Sequence, residues 1–75
     1  MNRFHVTIPV DLFQKEFQFR GTFLLSEGEY LWTEGKLFSS LDVELSLPPW
    51  LLQELFEYVS NYHTDRLELA VKNAP

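Results

Sequence analysis

The stretch Leu45-Ser46-Leu47-Pro48-Pro49-Trp50 constrains this chain most, because the hydrophobic period changes there. Before it, apolar residues recur at every second position, the period of a strand; after it, they recur at every third and fourth, the period of a helix. Proline cannot donate to a sheet ladder but fits the first turn of a helix, where an N–H has no partner to lose. The chain therefore reads as α+β: a small antiparallel sheet of four or five strands, largely a meander, followed by one helix over residues 49–62 packed across one face.

The strand half divides at turn signals. Phe4, Val6, Ile8 and Val10 alternate with Arg3, His5, Thr7 and Pro9, and Pro9 belongs at a strand end or an edge. Residues 11–14 form the connection. Residues 15–25 make the clearest strand, with Phe17, Phe19, Phe23 and Leu25 on one parity. Gly21 interrupts that parity, as a bulge or a close ring crossing would require. Ser26-Glu27-Gly28-Glu29 is a turn, Tyr30 to Thr33 a short third strand, and Glu34-Gly35-Lys36 a second turn. A fourth strand then runs over residues 37–47, with Leu41, Val43, Leu45 and Leu47 inward; Phe38, of the opposite parity, calls for a bulge at Ser39-Ser40, the preferred reading, or is a surface aromatic. After the helix, residues 65–72 fit a fifth strand or a helix equally well.

The predicted core is Phe4, Val6, Ile8, Phe17, Phe19, Phe23, Leu41, Val43, Leu45, Leu52, Leu55, Phe56 and Val59. Leu51 and Tyr62 also fall on the helix's apolar stripe. With 75 residues the chain suits one domain, 1–75, near the lower size limit for folding without staples. Aromatic residues make up 16% of it, which supplies large buried areas to a small core.

Composition narrows the function classes. There is no cysteine, which removes disulfides, thiolate metal sites and cysteine nucleophiles, and favours a reducing, cytoplasmic setting. The first residues do not resemble a signal peptide, and no stretch reaches the roughly 20 apolar residues of a membrane span. Net charge is −5, and the segment from Glu27 to Glu57 holds seven acids against one base, Lys36. Such a balance disfavours a phosphate backbone and suits a basic partner surface.

No chemistry-bearing constellation stands out. His5 and His63 are the only histidines, too few for a metal site of three or four converging ligands. The acid pairs Asp42/Glu44 and Glu54/Glu57 lack the cleft that tunes catalytic carboxylates. No catalytic residue, metal or cofactor is expected. A stacking platform of Tyr30, Trp32 and Phe38 would suit single-stranded nucleic acid, but eleven acids against six bases oppose it.

The remaining candidates for a functional surface are aromatics beside acids: Trp50, Trp32 and Tyr30, with Glu27, Glu29, Glu34, Glu54 and Glu57. Tryptophan and tyrosine are common interface anchors. Trp50 lies off the buried helical stripe, as an interface anchor or as a cover for the sheet end; Trp32 reads as core or interface. The expectation is a non-catalytic, acidic protein-binding module, an inhibitor or regulator of a larger basic-surfaced protein, of the kind phages and plasmids often encode. The alternative is a structural or homo-oligomerising subunit, such as a homodimer, with single-strand nucleic-acid binding third. The helix face itself is testable: Phe56→Ala should cost about 3–5 kcal/mol in a denaturant melt, and wild-type stability would refute the assignment.

Overall fold

The computed structural model describes residues 2–74. Four strands, β1 (Arg3–Leu12), β2 (Lys15–Ser26), β3 (Glu29–Ser39) and β4 (Glu44–Leu45), form an antiparallel meander in the order β1-β2-β3-β4. Two helices, α1 (Pro49–Tyr62) and α2 (Thr64–Lys72), cover one face, α1 over β3 and α2 over β1. The chain is an α+β domain with the expected meander, and α1 has the expected bounds. Residues 65–72 resolve as helix: Leu67 is fully buried while Ala70 and Val71 pack partly against the core, a 3–4 spacing.

Both hairpins are tight. Phe13 and Gln14 join β1 to β2 with φ of 53° and 62°; Glu27 and Gly28 join β2 to β3 with φ of 51° and 82°. Two consecutive positive φ values match the strand twist, as in type I′ turns. Gly28 meets that demand without steric cost, whereas Phe13 and Gln14 adopt it against their own preference. The first loop is therefore two residues, not the four of 11–14.

The third and fourth strands differ from expectation, and a bulge explains why. Thr22 pairs with Glu34 but Phe23 pairs with Trp32, so Thr33 is the extra residue and donates its hydroxyl to the Thr22 carbonyl at 3.2 Å. The bulge lets Tyr30 and Trp32 share the inner face with Gly35 and Leu37, despite opposite parity. Glu34-Gly35-Lys36 is thus the middle of one long strand rather than a turn. No bulge lies at Ser39-Ser40; Phe38 is simply on the outer face, beneath the Arg20 guanidinium at 4.1 Å.

The chain turns instead at residues 39–43. The Ser39 hydroxyl accepts from the Leu41 and Val43 N–H groups at 3.2 and 3.3 Å, and Asp42 takes φ 65°. This knot ejects Leu41 (84% exposed) and Val43 (56%) from the core to which the strand period assigned them. Tyr62, at the end of α1, is likewise exposed. The buried set is Val6, Ile8, Val10, Phe19, Phe23, Leu37, Leu55, Val59 and Leu67. The expected Phe4, Phe17, Leu45, Leu52 and Phe56 pack half-buried around it.

Gly21 and Gly35 are cross-strand partners on the inner face. A Cβ at Gly21 would stand 2.5 Å from Trp32 Cζ3; one at Gly35 would stand 2.8 Å from ring atoms of both Phe19 and Phe56. The pair forms a trough in which Trp32 stacks on Phe56, with ring centroids 5.0 Å apart and planes 11° from parallel. The Trp32 indole N–H donates to the Ser60 hydroxyl at 2.9 Å, so one side chain fixes two turns of α1. Gly35→Ala should therefore lower unfolding free energy by about 1–3 kcal/mol in a urea melt; an unchanged midpoint would mean that α1 rides loosely on the sheet.

Candidate apolar groove between the first strand and the first helix

Antiparallel pairing alternates hydrogen-bonded and non-bonded residue pairs. Pro9 has no N–H, so Pro9↔Gln18 is a non-bonded pair and the backbone groups of Pro9 and its odd-numbered neighbours face away from β2. β1 is an edge strand, so these groups point to the open edge. Toward its start, β1 is flanked by α2. The end from Pro9 to Leu12 is left beside the first turns of α1.

Between them lies an open groove of about 400 Å³. Half-buried Leu12 and Leu51 supply apolar surface over the buried Val10 and Leu55, and Trp50 and Tyr58 supply aromatic surface. Its charged residues are Asp11 and Glu54, both acids. Trp50, Glu54 and Tyr58 stand at i, i+4 and i+8, so a single helix face presents them. Trp50 is 68% exposed. Tyr58 is held on the other side: its ring lies 5.2 Å from that of His63, and its hydroxyl lies 3.3 Å from His63 Nε2. The first turn of α1 carries few free donors, because Pro49 has none and the Leu51 and Leu52 N–H groups both reach the Pro48 carbonyl at 3.1 Å.

The sequence-predicted residues do not converge on one surface. Trp50 and Glu54 meet at the groove, and exposed Glu57 lies on the next turn of α1. Glu27 lies in the β2–β3 turn and Glu29 opens β3, at the opposite end of the twelve-residue β2. Glu34 is on the outer sheet face, 3.6 Å from Lys36. Trp32 and Tyr30 pack half-buried under the helices, Tyr30 edge-on to Phe23 at 5.5 Å. The imagined aromatic platform is divided, with Trp32 and Tyr30 on one face of the sheet and Phe38 on the other. Sequence reasoning missed Pro9, Asp11, Leu12 and Tyr58; the spacing Trp50-Glu54-Tyr58 was the available signal for the last.

The outer sheet face is a solvated mosaic. Arg20 pairs with Asp42 at 2.7 Å, and Lys36 lies within 4 Å of Glu34 and Glu44. His5 Nδ1 sits 3.1 Å from the Thr22 hydroxyl. Among the described residues no three His, Asp or Glu side chains group as metal ligands, and no helix is long and apolar enough to cross a membrane. Comparison with known protein families, with curated proteins and with solved structures finds no match to this chain.

The two tryptophans should separate cleanly. Trp32→Ala removes a packed ring and its hydrogen bond and should cost about 3–5 kcal/mol. Trp50→Ala should change stability by less than about 1 kcal/mol. Parallel thermal melts distinguish them, and equal losses would place Trp50 in the core.

Proposed function

We propose that the chain is a non-catalytic, acidic protein-binding module that docks a larger, basic-surfaced protein through the Trp50–Glu54–Tyr58 face of α1 and the neighbouring end of β1. The observation that carries this reading is the exposure of Trp50 beside an apolar groove. Large aromatics left in water at such an edge are the residues that anchor interfaces. Phe13 reinforces it, because the hairpin tip next to Leu12 leaves this ring 89% exposed. Net charge of −5 would steer a basic partner toward this surface. The reading makes the protein an inhibitor or regulator acting by occupancy, and its lack of cysteine supports a reducing, cytoplasmic setting.

One observation favours the homo-oligomer as a second reading. β4 pairs only with Leu37 and Phe38, which leaves the outer edge of β3 from Glu29 to Lys36 without a strand neighbour. Edge pairing between two copies would use it. Glu29 and Glu34 on that edge oppose such pairing.

A photoreactive phenylalanine analogue at position 50 tests the first reading. In low-salt lysate it should cross-link one protein in high yield, and Glu54→Arg in the same chain should reduce that yield about tenfold or more, since it reverses a charge in the groove. A yield that ignores Glu54→Arg, or a cross-link to a second copy of this chain, would overturn the proposal.

A further inference from the structure

The groove's chemistry names what it accepts. We infer that its occupant is an arginine side chain carried on an extended segment of the partner, an inference that rests on the docking reading above. Among the described residues the groove's charged lining is Glu54, on the helix wall, and Asp11, at the strand edge, both acids, so a cation is favoured and an anion repelled. The start of α1 does not compensate. Helix N-termini bind anions through free N–H groups, but here two prolines and the hydrogen bonds that Leu51 and Leu52 donate to the Pro48 carbonyl leave only the N–H of Trp50.

Hydrogen-bonding capacity points the same way. Pro9 and Asp11 present two carbonyls to the open edge against the single N–H of Asp11, and the Glu54 carboxylate adds acceptors. The rim thus offers more backbone and carboxylate acceptors than backbone donors. A guanidinium is the complementary group, with five donors and no acceptor. Its three-methylene stem matches the apolar surface of Leu12 and Leu51, and its planar head suits the rings of Trp50 and Tyr58. Lysine shares the charge, but its compact, strongly hydrated ammonium gains less from flat aromatic surfaces. The missing donor at Pro9 also breaks any continuous strand addition to β1, so side-chain insertion dominates over backbone pairing.

The test uses the full-length chain, labelled with ¹⁵N, and three capped pentapeptides: acetyl-Ala-Leu-Arg-Leu-Ala-amide, its citrulline counterpart and its glutamate counterpart. Citrulline keeps the shape of arginine and removes the charge. The arginine peptide should give saturable shifts at the Trp50 indole and at the amides of Val10, Leu51 and Leu55. Affinity should fall about tenfold with citrulline, as expected when a charge-assisted contact is lost, and be undetectable with glutamate. Glu54→Gln, at an exposed position, should leave the unbound spectrum intact outside its own turn and weaken the arginine peptide several-fold. Lysine in place of arginine should bind less tightly.

Equal binding of the citrulline peptide at the same residues would overturn the cation assignment while leaving the docking reading standing. Shifts elsewhere, or none up to millimolar peptide, would overturn the arginine inference; the position-50 cross-link, which uses no peptide, then judges the docking reading separately. Concentration-dependent shifts at these residues without peptide would make a second copy of the chain the occupant and overturn both.

Discussion

Everything on the helical side of this molecule depends on two facing glycines. Without a Cβ at positions 21 and 35, the sheet has a trough where the Trp32 and Phe56 rings lie almost parallel. Phe19 closes the arrangement edge-on to both rings, at 6.1 and 5.9 Å. Trp32 then bonds to Ser60, one turn beyond Phe56, so α1 can neither roll nor slide without losing a stacked ring or breaking a part-buried hydrogen bond. In a domain this small, where net stability is a small difference between large terms, such a lock also defines a unique helix position.

The lock decides what faces outward. A helix turns about 100° per residue. With Phe56 held against the sheet, Trp50, Glu54 and Tyr58 fall within an arc of about 80° on the far side, and Leu51 and Leu55 follow in the next sector. The groove is therefore a geometric consequence of the glycine trough: one of its walls is the part of α1 that the trough turns away, and the other is the end of β1 that α2 leaves uncovered. Residues 21 and 35 never touch the groove, yet they orient half of its lining.

Legibility in the sequence followed the regularity of each element. β1, β2 and α1 keep one hydrophobic period throughout, and their inward residues, from Val6 and Ile8 to Leu55 and Val59, were readable from it. β3 was not, because the bulge at Thr33 changes its parity midway, so an unbroken strand reads as a strand, a turn and another strand. The leucine alternation from Leu41 to Leu47 misled for the opposite reason. Its period is regular, but Ser39 and Asp42 offer the backbone a local hydrogen-bonded turn that outcompetes continued pairing. α2 carried both periods at once, and only the surface it covers on β1 distinguishes them. Trp32 was undecidable because its partners, Gly35, Phe56 and Ser60, are brought to it by pairings that sequence distance conceals.

The acid-rich segment from Glu27 to Glu57 shows how a linear feature dissolves in three dimensions. Its carboxylates go to the far hairpin, to ion pairs on the outer sheet face and to the exposed side of α1, so the segment is not a surface. What remains at the groove is smaller: Glu54 from that segment, Asp11 from outside it, and an edge whose proline has no donor. The prolines before Trp50 extend this effect. They end the sheet because they cannot pair, and the same missing N–H groups, with Pro48's carbonyl bonded to Leu51 and Leu52, strip the helix start of donors. One chemical property of proline, used at residues 9, 48 and 49, thus both marks the boundaries of the fold and makes the adjoining groove accept donors. That shared property is why the period change at Leu47 and the exposed Trp50 belong to the same few residues.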